Sequence, residues 1–242
     1  MLVLLGVLAV ALVSMAVYAA TGARRDADAE RRGSSFLMGG GDFVVHWFLW
    51  AVSPLDRVAA ALSLTPDFFN FAGLFFGMVS GIAIAAGRVE VGGWAIALGG
   101  VCDIMDGRVA RARQLSSPYG MFIDSMLDRF VEVFAFLGFV VLLRDFRYGP
   151  LLAAAAITGS LLVSYARARG ESVGVLCKEG LMQRAERLVL IFLACMLDRP
   201  LSAALGWAPG TLILWTMALI ATGTFATAAH RTIWIASKLR AG

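Results

Sequence analysis

The sequence has few charged residues and very little cysteine or histidine. Of its 242 residues, 16% are charged and 60% are hydrophobic, and the mean hydropathy is +0.79. A soluble domain has about 25% charged and about 45–50% apolar residues, so this composition excludes an ordinary soluble protein. Three widely spaced cysteines without a CxxC motif, and two histidines, argue against a disulfide framework and against a zinc site. The composition predicts a polytopic membrane protein.

The charge that is present is mostly basic. The net charge is +4 and the pI is about 9.3. In a membrane protein such an excess is typical of cytoplasmic loops that face anionic lipid headgroups. We therefore predict contact with membrane lipids and no nucleic-acid partner.

The N-terminal part of the chain differs from the rest. Residues 1–20 form an apolar run that is long enough to span a bilayer. The run lacks a basic start and is followed by Arg24 and Arg25, which is the reverse of a cleaved signal peptide. We predict a retained membrane helix with its N-terminus outside, then a polar, Gly-rich linker to residue 42. Residues 43–64 are Trp-rich, which predicts one or two short helices at the membrane interface.

Six further apolar segments predict a transmembrane core. Their ranges are 68–87, 92–112, 120–143, 150–169, 181–197 and 210–234. The fold class is therefore predicted as all-α, with a unit over 1–42 and a membrane domain over 43–242. If the first linker is cytoplasmic, alternation leaves only four basic residues outside: Arg88, Arg144, Arg147 and Arg199. In a bacterium the protein would lie in the inner or cell membrane.

Four aspartates lie within 26 residues of this apolar chain: Asp103, Asp106, Asp124 and Asp128. A charge at the centre of a membrane helix costs about 2.5–3.5 kcal/mol, so their presence indicates a function. The first two are three residues apart and the last two are four apart, so each pair shares one helix face. A turn-like segment between the pairs lets the two helices pack antiparallel. Because four carboxylates repel without cations between them, we predict a site for two divalent ions, Mg²⁺ or Mn²⁺.

This arrangement suits phosphoryl chemistry at the cytoplasmic side. Two bridged metal ions can hold a phosphorus centre during in-line displacement. Gly107 and Ala110 are small enough for a base or a diphosphate to approach, and Arg111 could bind phosphate oxygens in a bidentate way. An attacking hydroxyl needs a general base. Asp128 is the candidate if the other three acids act mainly as ligands, although it could still touch the second metal ion.

The spacing D-x2-D-G-x2-A-R-x8-G-x3-D-x3-D resembles the motif of the CDP-alcohol phosphotransferase family. Every fixed position is present, namely Asp103, Asp106, Gly107, Ala110, Arg111, Gly120, Asp124 and Asp128. The resemblance covers about residues 43–236. It leaves the first helix and the linker outside.

The resemblance implies an enzyme that takes a CDP-linked alcohol, often CDP-diacylglycerol, forms a phosphodiester with an acceptor alcohol and releases CMP. It implies Mg²⁺ or Mn²⁺ and a homodimer. The first three aspartates would be metal ligands and Asp128 the base near the metals, while Gly107 and Arg111 would contact the CDP moiety. Many members carry Thr-Pro-Asn before the first core span, but here Asp67 takes the place of that Asn. The Asn role is assigned to Asn70, and Asp67 is predicted to cap the helix.

A basic stretch predicts the kind of acceptor. It begins at Ser164 and continues to Arg187, and its candidate ligands for an acceptor phosphate are Arg167, Arg184 and Arg187. A phosphorylated polyol would supply the anion, and the stretch resembles members that use inositol phosphate, with glycerol 3-phosphate as the other choice. The alternative is that these basic residues only reflect the positive-inside rule and form local ion pairs, such as Glu186 with an arginine. Glu132 is predicted to be a structural partner of Arg129 or of another helix rather than a fifth metal ligand.

Other functions remain open at this point. An unphosphorylated acceptor would make the protein a phosphatidylserine or phosphatidylinositol synthase. A choline or ethanolamine phosphotransferase would act on diacylglycerol instead. An ion carrier with intramembrane acids does not explain Gly107, Ala110, Arg111 and Gly120 at fixed gaps, and a non-catalytic anchor does not explain four intact acids.

Overall fold

The computed structural model describes residues 2–21, 41–177 and 179–241, and all the secondary structure in these ranges is helical. The helices are α1 (Leu2–Thr21), α2 (Asp42–Val52), α3 (Pro54–Ala61), α4 (Pro66–Ala85), α5 (Val89–Ala112), α6 (Pro118–Leu142), α7 (Gly149–Ser172), α8 (Arg184–Leu205) and α9 (Thr211–Ala241). The region predicted to hold one or two short helices contains two, α2 and α3, because Pro54 begins the second. Most of the predicted linker lies outside the described residues.

Within the described residues, four helices are long and apolar enough to cross a membrane: α4, α7, α8 and α9. Helices α5 and α6 are of similar length, with 24 and 25 residues, but they carry the aspartates and several arginines. The protein is an integral membrane protein. A six-helix core, and a further crossing by α1, stay predictions.

Helix α8 extends further than its sequence indicates. The predicted span stopped just before Asp198, yet α8 continues to Leu205. Asp198 is buried, and its carboxylate accepts hydrogen bonds from the backbone amides of Gly210 at 2.7 Å and Leu212 at 3.1 Å. The Asp198 carboxylate therefore caps the start of α9, and these amides take the place of water as its hydrogen-bond donors. Gly206 ends α8 with a left-handed φ of 67°.

Helix α4 packs closely against both aspartate-bearing helices. On the α6 side, a Cβ atom at Gly138 would lie 2.5 Å from the carbonyl oxygen of Gly81. On the α5 side, a Cβ atom at Gly99 would lie 3.6 Å from the carbonyl oxygen of Gly73. Small residues allow this approach of backbones. Both aspartate pairs are thus carried by helices that share one neighbour.

Two apolar clusters surround these contacts. The larger one joins α4–α9 and includes Ile84, Phe136 and Ile213. The smaller one packs Val52 of α2 and Ala59 of α3 around Met105 and Val109 of α5. The smaller cluster attaches the two short helices to the part of α5 that carries the aspartates.

Candidate active site

The turn between α5 and α6 brings the two aspartate pairs together. Ser117 is the N-cap of α6, and its Oγ accepts a hydrogen bond from the backbone amide of Gly120 at 3.1 Å. Gln114, in the turn, adopts a left-handed φ of 57°. The turn predicted from composition is present and lets Asp124 of α6 meet Asp103 and Asp106 of α5. Gly120 lies in the first turn of α6.

Three of the aspartates form one carboxylate cluster. The ligand oxygens of Asp103, Asp106 and Asp124 all lie within 4.8 Å of one another. Asp106 is buried, while Asp103 and Asp124 are partly exposed. Three hard oxygen donors at this spacing fit a divalent cation such as Mg²⁺ or Mn²⁺. By its donor set, the cluster could hold a divalent metal ion.

Asp128 lies beside this cluster and is joined to it by an arginine. Arg184, the first residue of α8, places Nη1 2.7 Å from Oδ1 of Asp103 and Nη2 2.7 Å from Oδ1 of Asp128. All three side chains are 22–25% exposed, so each is mostly buried but still reached by solvent. Arg184 thus links the carboxylate cluster to the predicted base through a charge-assisted hydrogen bond to Asp103 and an ion pair with Asp128.

Gly107 and Arg111 are neighbours on one face of α5. A Cβ atom at Gly107 would lie 2.9 Å from Nη1 of Arg111, so the glycine leaves room for that guanidinium. Ala110 is partly buried on the same helix. The three residues lie within five positions of Asp106 on the same helix.

Helix α4 begins differently from the sequence prediction. Its N-cap is Thr65, whose side chain accepts a hydrogen bond from the amide of Phe68 at 3.3 Å. Asp67, predicted to be the cap, is exposed in the first turn. Asn70 is buried on the same helix, one turn before Gly73 and its contact with α5.

The three arginines of the basic stretch lie in different surroundings. Arg187 is 1% exposed, with Nε 2.8 Å and Nη2 2.7 Å from Oε1 of Glu132. Its Nη1 donates to the carbonyl oxygen of Met182 at 3.1 Å. Arg167 is exposed and pairs with Glu171 within α7. Of the three, the structure brings Arg184 to the aspartates, and the structural partner predicted for Glu132 is Arg187 rather than Arg129.

Two arginines that the sequence interpretation did not single out hold α5 to α3. Arg108 donates from Nε to both carboxylate oxygens of Asp56, at 3.0 and 3.1 Å. Arg113 donates from Nη2 to the carbonyl oxygen of Ala59 at 3.0 Å. The sequence hinted at this ion pair only through an acid, Asp56, on a short apolar helix and arginines on the motif helix. Asp56 and Arg108 are 52 positions apart, and no spacing rule links residues that far apart.

Comparison with known proteins places these residues in a family. The family model described as CDP-alcohol phosphatidyltransferase matches residues 63–223. Archaetidylinositol phosphate synthase of Methanothermobacter thermautotrophicus is 34% identical over 137 residues, which are 57% of this chain and 69% of that protein. Phosphatidylinositol phosphate synthase of Streptomyces avermitilis is 29% identical over 204 residues, covering 78% of this chain and 79% of that one.

Solved structures of phosphatidylinositol phosphate synthase from Mycobacterium tuberculosis share the fold. The structure with CDP-DAG bound is 21% identical with a TM-score of 0.66, over 76% of this chain and 92% of that chain. The complex with manganese and citrate is 23% identical with a TM-score of 0.67, over 76% and 88%. The motif is complete from Asp103 to Asp128, and the family model matches more than half of this chain, residues 63–223. This chain therefore belongs to the CDP-alcohol phosphatidyltransferase family.

Proposed function

We propose that the protein transfers a phosphatidyl group from CDP-diacylglycerol to a hydroxyl of a phosphorylated polyol and releases CMP. The observation that carries the proposal is the bridge of Arg184 between the metal cluster and Asp128. A cation at the edge of a site rich in carboxylates suits an acceptor that brings its own negative charge. The relatives named above as inositol phosphate lipid synthases favour inositol phosphate, and glycerol 3-phosphate is the other acceptor of this class.

Arg184 is the first candidate for the acceptor phosphate. Arg187 has Nε, Nη1 and Nη2 engaged with Glu132 and with the protein backbone, which supports a structural role. Arg167 is exposed and can exchange its partner Glu171 for an anion at little cost, because surface ion pairs contribute about 0–1 kcal/mol. We rank Arg167 second and Arg187 third.

The remaining motif residues are assigned to the donor. We propose that the CDP moiety contacts Gly107, Ala110, Arg111, Gly120 and Asn70. The close approach of Arg111 to Gly107 supports this assignment for the diphosphate, since a larger side chain at residue 107 would displace the guanidinium. Two divalent ions, Mg²⁺ or Mn²⁺, would be held mainly by Asp103, Asp106 and Asp124, while Asp128 acts as the base and could still touch the second ion.

The chemistry follows from these positions. When bound, the divalent ions would neutralise the carboxylates and polarise the donor diphosphate. Asp128 accepts the proton of the acceptor hydroxyl as its oxygen attacks the phosphorus that carries diacylglycerol. A new P–O bond forms, the P–O bond to CMP breaks, and the bridging oxygen leaves with CMP. Arg184 holds the Asp128 carboxylate in place and orients the anionic end of the acceptor.

The cellular arrangement is part of the proposal. Six core crossings with the aspartates at the cytoplasmic side would give soluble polyol phosphates access to the site. The basic residues at the same side support this orientation. We also propose a homodimer, as the family resemblance implies.

CMP release by the purified protein tests the reaction. The protein is assayed with CDP-diacylglycerol and Mg²⁺ or Mn²⁺, and with inositol 1-phosphate, inositol, glycerol 3-phosphate and serine in parallel. We expect release that depends on the metal ion and on one phosphorylated acceptor. Release only with serine or free inositol would contradict the acceptor class, and release only with CDP-choline or CDP-ethanolamine would contradict the donor.

A further inference from the structure

Helix α1, which lies outside the region that the family model matches, packs on α2. Tyr18 is buried, and the centroid of its ring lies 5.6 Å from that of Phe43 and 5.6 Å from that of Trp50. One turn earlier on α1, the Oγ of Ser14 accepts a hydrogen bond from Nε1 of Trp47 at 3.0 Å. The two α1 residues are four positions apart, and the three α2 residues follow the spacing of one helix face. The two helices therefore meet along matched faces rather than at a single point.

The same short helix also contacts the motif helix. Val52, the last residue of α2, is buried in a cluster with Met105 and Val109 of α5. Helix α2 has 11 residues and α3 has 8. Isolated helices shorter than about 12–15 residues are marginal in water. The position of α2 therefore depends on what it packs against, and both α1 and α5 contribute to it.

Helix α3 continues this connection towards the donor side of the site. Only Ser53 separates it from α2. Asp56 of α3 accepts hydrogen bonds from Nε and Nη2 of Arg108, at 3.0 and 2.5 Å, and the arginine side chain is 13% exposed. Arg108 directly follows Gly107 and precedes Arg111 by three residues, so it lies between two residues assigned to the donor. A shift of α2 would therefore be passed through α3 to this part of α5.

We propose that Ser14, Tyr18 and Asp56 are positioning residues for the CDP-linked donor, acting through α2 and α3 on the part of α5 that carries Gly107 and Arg111. Their contacts described above are with α2 and with Arg108, and the reaction does not use them. They determine the affinity for the donor more than that for the acceptor, because the acceptor side is carried by α8. The proposal rests on the proposed function for the two substrates, but the docking of α1 on α2 is independent of it.

The ion pair is tested with Asp56→Asn and the control Asp145→Asn. Each variant neutralises an acid that pairs with an arginine, but Asp145 and its partner Arg144 are 88% and 72% exposed. We expect Asp56→Asn to raise the KM for CDP-diacylglycerol about threefold to tenfold, because a neutral amide holds the buried guanidinium of Arg108 less firmly. The KM for inositol 1-phosphate and kcat should change less than about twofold. Asp145→Asn should match the wild type.

The hydrogen bond between α1 and α2 is tested with Ser14→Ala and Thr21→Val. Each variant loses a hydroxyl that donates to a carbonyl oxygen three residues earlier in α1. Ser14 also accepts from Trp47 of α2, so the pair isolates that bond. We expect Ser14→Ala to raise the KM for CDP-diacylglycerol about twofold to fivefold, and Thr21→Val to leave it unchanged.

The aromatic contact is tested by conservative rescue. Tyr18→Phe keeps a ring against Phe43 and Trp50, whereas Tyr18→Leu removes it. We expect the donor KM to rise in Tyr18→Leu and to return to the wild-type value in Tyr18→Phe. Equal donor KM values within any of these three pairs would overturn the proposal. So would a parallel rise in the KM of both substrates that follows the loss of thermal stability.

Two measurements without an acceptor separate this proposal from the proposed function. If the wild type releases no CMP with any phosphorylated acceptor, the proposed function fails. Calorimetry with CMP and Mn²⁺ still tests the nucleotide side, where we expect weaker binding in Asp56→Asn than in Asp145→Asn. Amide hydrogen exchange in residues 42–61 should be faster in Ser14→Ala than in Thr21→Val. Identical CMP affinities, or identical exchange, would overturn the positioning path.

Discussion

At the scale of single residues, the aspartates differ in what surrounds them. Asp103, Asp106 and Asp124 converge on one point, whereas Asp128 lies beside them on Arg184. This difference in surroundings supports the proposal of three metal ligands and one base. Arg184 contacts a residue of each kind, Asp103 and Asp128.

Replacing Asp128 with Asn should stop turnover without emptying the metal site. A general base contributes about 10²–10⁴-fold, so we expect a fall in kcat of that size for Asp128→Asn. Mn²⁺ binding, measured by calorimetry, should remain near the wild-type value. Asp106→Asn is the control, because it removes a buried ligand of the cluster and should weaken Mn²⁺ binding. Strong residual turnover in Asp128→Asn would exclude it as the base.

The buried pair of Glu132 and Arg187 should be a stability feature. Glu132→Gln leaves a buried guanidinium without its counter-charge, and breaking such a pair costs about 3–5 kcal/mol. Glu90→Gln is the matched control, because Glu90 pairs with Arg199 at 39% and 57% exposure, where about 0–1 kcal/mol is expected. Thermal midpoints in detergent measure the difference. Equal midpoints in the two variants would contradict it.

The residues of the site could be predicted from the sequence only where their spacing along the chain carries information. The D-x2-D and D-x3-D spacings predicted the shared faces, and the turn composition predicted their meeting. The contact of Arg184 with Asp103 joins residues 81 positions apart, so no local rule could select it among the basic residues. Asp67 was wrongly predicted as a cap because Thr65, the actual cap, is also a good N-cap residue.

At the scale of helices, close backbone packing determines where the carboxylates lie. Helix α4 fits against α6 only because Gly138 and Gly81 lack side chains. The positions of the glycines in the sequence could not say which helices they bring together. The extent of α8 was also underestimated, since a charged Asp198 looks like a helix end until its bonds to α9 are seen.

Gly138→Ala should separate α6 from α4. The added methyl would lie 2.5 Å from the backbone oxygen of Gly81, and overpacking of this kind costs about 1–3 kcal/mol. We expect a lower thermal midpoint and weaker Mn²⁺ binding, because α6 carries Asp124. Gly100→Ala is the control, since nothing lies within 4 Å of its added methyl, and it should be neutral or slightly stabilising. An unchanged thermal midpoint in Gly138→Ala would contradict this prediction and show that α4 and α6 can move apart without loss of stability.

At the scale of the whole molecule, the helical fold and the family could be derived from the sequence more fully than the membrane topology. Composition predicted an all-α membrane protein, and the observed helices begin or end within a few residues of most predicted spans. The topology is hardest to derive at helices α5 and α6. They carry the charged residues of the candidate site, so their hydropathy alone cannot establish that they cross the bilayer.

Cysteine labelling measures the orientation. In a variant without its native cysteines, Tyr148→Cys and Ser116→Cys place single thiols at exposed positions in the turns at opposite ends of α6. We expect a membrane-impermeant maleimide to label Tyr148→Cys in intact cells and Ser116→Cys only after permeabilisation. The reverse pattern would put the aspartates outside. Labelling of both from one side would mean that α6 does not cross.

The ion pair between Asp56 and Arg108 has a consequence for the response to lipids. Arg108 adjoins Gly107, and Asp56 belongs to a short helix that we predict to rest at the membrane surface. A bilayer of different thickness or surface charge changes the depth at which such a helix settles. The bidentate ion pair would carry such a displacement to the helix that holds Asp106. It is therefore the point at which a change in the surrounding membrane would reach the catalytic motif.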